Sequence, residues 1–225
     1  MADLWETLKE RPTGKALRLL VEALVLRSLK ESLRGVYLRG EAPEGPLGVA
    51  QDHRGRFGGH LAWLRGTLCR RPLSLLVAEE NLRAYPVLKL AGALEAGRVR
   101  EALRRLRRGE WVALFPEGEM RYPGPLGPLR EGANWLARKA GVPLLPVALR
   151  VVLRGYEHPE AFLWVGRPLP PGGDLGRALG GLLQALDALL AKTHPREVPE
   201  GFREVLRGRR SLEERVLPLV RLLRP

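Results

Sequence analysis

Three short, almost wholly apolar runs, at 47–50, 111–115 and 144–149, are separated by stretches long enough to hold helices. This spacing constrains the fold more than any other feature of the chain. A strand that alternates polar and apolar residues keeps one wet face, whereas a continuous apolar strand must be covered on both. Apolar strands alternating with helices therefore predict an α/β fold, a mixed sheet flanked by helices. The expected helices lie at 60–70, 99–108, 131–140 (ended by Gly141) and 175–191, and a closing helix at 211–223 carries Ser211 and Glu214 in capping-box spacing. Further strands are expected at 75–78 and 162–165, the second at a sheet edge. Catalytic groups in such sheets sit in the loops at strand ends, and His53 and Glu117 both fall there.

Residues 14–34 predict an N-terminal amphipathic helix, with Leu17, Leu20, Val21, Leu24 and Val25 on its apolar face. Such a helix either anchors at a membrane interface or packs on its own domain. The division expected is an N-terminal helical segment over 1–40 and an α/β domain with C-terminal helices over 41–225. The formal charge of +13 favours anionic partners. Lysine occurs at only six positions, so the arginine excess has base composition as an equal explanation. The basic residues do not interleave with aromatics and no reader motif is present, so no nucleic acid is expected.

Cys69 is the single cysteine, which rules out an internal disulfide and a cysteine-rich zinc site. No metal is expected, nor any cofactor. The first residues lack the pattern of a secretory signal, and no uncharged apolar run reaches the roughly 18 residues of a spanning helix. The expectation is a cytoplasmic protein, peripheral on the inner face of the cell membrane.

The segment Phe115-Pro116-Glu117-Gly118, followed by Arg130 and Gly132 and then by Val142-Pro143-Leu144-Leu145-Pro146-Val147, resembles the third and fourth motifs of the glycerolipid acyltransferases, a family that includes 1-acylglycerol-3-phosphate acyltransferase. The resemblance covers roughly 47–165 and implies acyl transfer from acyl-CoA or acyl carrier protein, as co-substrate, to a lipid hydroxyl. Lysophosphatidate is the default acceptor; a glycosylated lipid or carotenoid is the neutral alternative. The implied partners are an anionic membrane surface, an acyl thioester donor and a lipid acceptor.

In the family's first motif a histidine is followed five residues later by an aspartate. Here His53 is followed by Gly58. Histidine suits removal of a hydroxyl proton because its ordinary pKa lies near working pH, and a neighbouring carboxylate fixes its tautomer. With Gly58 in place of that carboxylate, the candidate substitutes are Asp52 and Glu117, with His60 ranked below them. The catalytic candidates are therefore His53, Glu117 and Asp52. The substrate-binding candidates implied by the resemblance are Arg98, Phe115, Pro116, Gly118, Arg121 and Arg130. Glu119-Met120-Arg121 places the arginine one residue beyond its usual position and adds a carboxylate, which weakens the case for a phosphate-bearing acceptor. Residues 143–146 either shape an apolar acyl channel or simply begin a buried strand. The different-class alternative is a catalytically silent relative that binds lipid or scaffolds another protein.

Overall fold

The computed structural model describes residues 12–53, 55–122 and 124–216. The elements run α1 (Pro12–Ser32), β1 (Gly35–Arg39), β2 (Leu47–Gln51), α2 (Gly58–Leu68), β3 (Leu73–Val77), α3 (Glu79–Ala84), a 3-10 turn (Pro86–Ala91), β4 (Ala93–Glu95), α4 (Val99–Arg107), β5 (Trp111–Leu114), α5 (Gly132–Ala140), β6 (Leu144–Val152), β7 (Glu160–Val165), α6 (Leu175–Lys192) and β8 (Arg203–Arg207). Among the described residues the strands form one eight-stranded sheet in the order β4-β3-β5-β2-β6-β7-β1-β8. The strands from β4 to β6 are parallel, β7 turns antiparallel to β6, and β8 is antiparallel to β1.

The three apolar runs are β5, β2 and β6, side by side at the centre of the sheet. Leu47, Val49, Trp111, Leu145 and Val147 face α1 and α2, whereas Ala50, Val112, Leu114, Leu144 and Ala148 face α4, α5 and α6. Burial on both sides is why these strands carry no polar alternation. α6 lays Leu175, Leu179, Leu183 and Leu186 against the sheet. Its first turn is closed by Asp174, whose side chain accepts from the Arg177 N–H at 2.9 Å. Gly141 ends α5 in the left-handed conformation at φ 68°.

Several expectations change. The strand expected at 162–165 as an edge is β7, which lies inside the sheet between β6 and β1. β1 (Val36-Tyr37-Leu38) and β8 were not foreseen. Because β1 pairs with both β7 and β8, the sheet already includes residues before position 41. Helix α1 buries Gly14, Val21 and Leu29 but leaves Leu19, Leu20 and Leu24 more than half exposed, so the expected apolar face is only partly used by the fold. The capping box forms as read. The Ser211 N–H donates to Glu214 Oε2 at 3.1 Å and the Glu214 N–H to Ser211 Oγ at 3.3 Å, while the rest of that helix, from 217, lies outside the described residues. No helix among the described residues is long and apolar enough to cross a membrane.

Candidate active site

After β2 the chain turns to α2 on one face of the sheet, and after β5 it passes through 115–131 to α5 on the other. A crevice therefore opens at the carboxyl ends of these two adjacent strands, where ligands bind in open α/β sheets. β2 ends at Gln51, which brings Asp52 and His53 to its floor. β5 ends at Leu114, which brings Phe115 and Glu117 beside them.

Phe115-Pro116-Glu117-Gly118 is a tight turn closed by the Gly118 N–H donating to the Phe115 carbonyl at 3.0 Å. Gly118 sits at φ 73°, and a Cβ there would lie 2.3 Å from Arg130 Nε, so the turn needs glycine for its backbone and for Arg130 to cross it. Pro116 is buried and its carbonyl accepts from the Arg130 N–H at 2.8 Å.

Glu117 is 2% exposed and ties the loops together. Its Oε1 accepts from the His53 N–H at 3.3 Å and its Oε2 from the Gly127 N–H at 3.0 Å. Arg121 Nε lies 3.7 Å from the same carboxylate, and the Arg121 N–H donates to the His53 carbonyl at 3.0 Å. Both backbone groups of His53 are thus held by this turn and the loop after it. The Arg121 guanidinium also pairs with Glu119.

The His53 ring stacks obliquely on Phe115, with centroids 4.1 Å apart. Burial lowers its pKa from 6.5, opposed by a backbone hydrogen bond and by the charge of Glu117. The imidazole is therefore neutral at neutral pH, as a general base must be. Its Nδ1 is buried and has no protein hydrogen-bond partner.

That last observation corrects the expected substitutes for the missing aspartate. Asp52 is fully buried, but Oδ1 accepts from the Leu149 N–H at 2.6 Å and Oδ2 from Arg150 Nη1 at 3.3 Å, both on β6. It fastens the floor of the crevice to the next strand. Glu117 holds the backbone of His53, not its ring. His60 lies on α2 with a pKa lowered by burial and by the charge of Arg56, and it does not reach Nδ1 either. Arg98 is exposed at the start of α4, beyond the end of β4. β4 is three strands from β2, about 14 Å at the usual strand spacing, so Arg98 is not part of the His53 cluster.

Sequence reasoning missed two residues. Arg150 holds Asp52 and is itself gripped by Asp187 through Oδ1 at 2.6 Å and Oδ2 at 2.8 Å. Gln51, the last residue of β2, is fully buried, with Nε2 donating to the Gly58 carbonyl at 3.1 Å.

The fold thus brings the Pro-Glu-Gly turn after one central strand against the histidine after its neighbour, the two motifs by which the sequence resembles the glycerolipid acyltransferases. Residues 70–150 match the family model described as Acyltransferase; the match takes in Glu117 and Arg130 and starts beyond His53 and Gly58. N-acylphosphatidylethanolamine synthase of Arabidopsis thaliana is 36% identical over 93 residues, which is 40% of this chain and 31% of that protein. A 1-acyl-sn-glycerol-3-phosphate acyltransferase of Pseudomonas aeruginosa is 32% identical over 98 residues, 39% of this chain and 37% of that protein. The chain thus spans about a third of the length of these relatives. The crystal structure of PlsC, the 1-acyl-sn-glycerophosphate acyltransferase of Thermotoga maritima, shares the fold at a TM-score of 0.54 and 21% identity, over 86% of this chain and 85% of that one. Over residues 70–150 the chain is thus similar to the acyltransferases, and its fold is that of PlsC.

Proposed function

We propose that this protein is an acyltransferase that moves a fatty acyl group from a thioester, acyl-CoA or acyl carrier protein, to the hydroxyl of a lipid acceptor at a membrane surface. The observation that carries this reading is His53 itself. It is a half-buried imidazole kept neutral by burial, in the crevice at the end of β2, with its backbone fixed on both sides by Glu117 and Arg121. In the reaction His53 takes the proton of the acceptor hydroxyl as that oxygen attacks the thioester carbonyl carbon. The ester C–O bond forms, the C–S bond breaks, and the departing thiolate takes the proton back from the imidazolium. Glu117 acts by placement, holding the His53 backbone against the Gly127 loop.

The acceptor is lysophosphatidate by family resemblance. Against it stands Arg121, whose charge is already met by Glu119 and Glu117. This favours a neutral hydroxylated lipid over a phosphate-bearing one. Membrane binding is supported by the exposed Leu19, Leu20 and Leu24 of α1 together with the net charge of +13.

One observation favours a second reading, a catalytically silent lipid-binding relative: Nδ1 of His53 has no partner and Gly58 offers none. Thiol release from an acyl thioester, measured with purified protein over a panel of lysophosphatidate, monoacylglycerol and glycolipid acceptors, separates the two. Acceptor-dependent release that disappears in His53→Ala supports the enzyme; no release with any acceptor supports the silent relative.

A further inference from the structure

Helix α4 has two unlike faces. Ala102 and Leu106 are buried against the sheet, with Val99 and Leu103 packed beside them. At 3.6 residues per turn, Arg100, Arg104, Arg107 and Arg108 fall within an arc of about 100° on the opposite side, over about 12 Å of helix. All four are exposed, as is Arg98 just before the helix. Among the described residues the carboxylate paired on this helix is Glu101, which takes Arg104 and the inward-turned Arg105. Arg98, Arg100, Arg107 and Arg108 form no ion pair among the described residues. Arg107 Nη2 donates to the Lys139 carbonyl at 3.4 Å, which brings a further exposed cation, on α5, to the same row.

Like charges three and four residues apart on a helix repel, and an anionic partner relieves that repulsion. The bilayer is met on the other side of the molecule. The exposed Leu19, Leu20 and Leu24 belong to α1, which packs on the sheet face of Leu47 and Val49, whereas α4 covers the face of Val112 and Leu114. With α1 on a membrane, the arginine face of α4 points to water.

α4 also starts level with the site. Val49, Ala113, Leu75 and Ala93 lie in one row across β2, β5, β3 and β4. Two residues on, β2 reaches Gln51 and β4 reaches Glu95, from which the chain goes on to His53 and to Arg98. The row spans three strand spacings, about 14 Å. A phosphopantetheine arm has about thirteen bonds between phosphorus and sulfur, roughly 16 Å at the ~1.2 Å per bond of an extended chain. A thioester on such an arm, anchored by its phosphate at Arg98, therefore reaches His53.

We propose that the arginine face of α4 is the docking surface for the acyl donor, and that this donor is an acidic acyl carrier protein. An acidic helix of the carrier lies along Arg100, Arg104, Arg107 and Arg108, with the phosphate of its arm beside Arg98. CoA carries the same arm, but its phosphates sit together at one end. It would use the cations nearest the crevice and leave Arg107 and Arg108, at the far end of α4, without a role. The inference rests on the acyl-transfer reading for the purpose of this surface.

The test is Arg107→Glu combined with Arg108→Glu in the full chain. Binding of palmitoyl-acyl carrier protein, read by isothermal titration calorimetry, should weaken at least about 10-fold in this variant, and in the wild type it should weaken with salt. Transfer from palmitoyl-acyl carrier protein should show that loss in KM with kcat little changed, while transfer from palmitoyl-CoA stays within about twofold. Arg107→Gln with Arg108→Gln serves as the milder pair should charge reversal disturb the fold by circular dichroism. Carrier binding that is absent in the wild type, or unchanged in the variants, overturns the proposal. So does an equal loss with palmitoyl-CoA, or a loss of binding to anionic vesicles in place of carrier binding, which gives the arginine face to the bilayer. Salt-sensitive carrier binding that the variants lose, without acyl transfer from either donor to any acceptor, keeps the docking surface and removes the enzymatic reading.

Discussion

Asp52→Asn separates a structural carboxylate from a catalytic one, because Asp52 stands next to His53 in sequence and away from its ring in space. The side chain is fully buried and makes two polar contacts on β6. The first, from the Leu149 N–H to Oδ1 at 2.6 Å, survives in the amide but changes from a charged to a neutral acceptor, a loss of about 1–2 kcal/mol. The second, from Arg150 Nη1 to Oδ2 at 3.3 Å, becomes an amide NH₂ facing a guanidinium NH₂. A buried donor left unpaired costs about 1–3 kcal/mol more. Arg150 keeps both bonds to Asp187, so the total should sit near the lower end of the ~3–5 kcal/mol typical of breaking a buried pair. At about 2–4 °C per kcal/mol for a domain of this size, about 3 kcal/mol lowers the melting temperature by roughly 6–12 °C. Differential scanning calorimetry reads that shift. Acyl transfer measured well below the transition should change by less than about one decade, 1.36 kcal/mol in barrier. An unshifted melting temperature with turnover down by orders of magnitude would refute the structural assignment and return Asp52 to the catalytic set.

His53→Ala is expected to abolish transfer with little change in melting temperature, and the acid limb of wild-type kcat/KM should fall below 6.5, because burial holds the folded His53 pKa under its ordinary value; a limb above 6.5 would contradict that environment. Gly58→Asp should raise the limb by setting a carboxylate beside the ring, at the cost of moving Phe115 a few tenths of an ångström, and should raise turnover by about one decade in a working enzyme; an unmoved limb would show that the side chain at 58 does not address His53. Arg65 is buried on α2 with none of its guanidinium nitrogens hydrogen-bonded, and burial pushes its pKa down to about 10. Arg65→Met should therefore raise stability by about 1–3 kcal/mol, roughly 2–12 °C in calorimetry, and a drop would show that the charge has an essential partner. Binding to anionic liposomes should weaken with salt and weaken again when Leu19, Leu20 and Leu24 are changed to serine; equal binding to neutral and anionic vesicles at low salt would remove the electrostatic contribution.

The central half of the fold was legible because β5, β2 and β6 are buried on both faces and so appear as uninterrupted apolar runs. β1 and β8 were not, for different physical reasons. β1 offers only Val36-Tyr37-Leu38 directly after a 21-residue helix, too short a run to separate from the helix end. β8 is an edge strand, Arg203-Glu204-Val205-Leu206-Arg207, whose charges belong on an outer strand and hide its pairing with β1. The same pairing explains the misplaced edge. The run at 162–165 is expected at the sheet edge, yet β1 and β8 both lie beyond it in the sheet.

The site divides along a similar line. His53 and Glu117 could be found from sequence because each follows an apolar strand and the two stand in an order resembling the glycerolipid acyltransferase motifs. What each carboxylate binds could not be found that way. Asp52 is adjacent to His53, but its partners are 97 and 98 positions further on. Glu117 reaches back 64 positions to a backbone N–H that no side-chain pattern reports. Asp52 and Glu117 stand level as orienting groups in the sequence, and the register of β2 against β6 gives Asp52 its partners on β6. Once those carboxylates are assigned elsewhere, the departure at Gly58 concerns more than position 58. Three polar atoms of the site, His53 Nδ1, Gln51 Oε1 and Arg121 Nε, have no hydrogen-bond partner. The amide is invisible in a motif built from histidine and aspartate, because a glutamine closing an apolar strand carries no charge and matches no family signature.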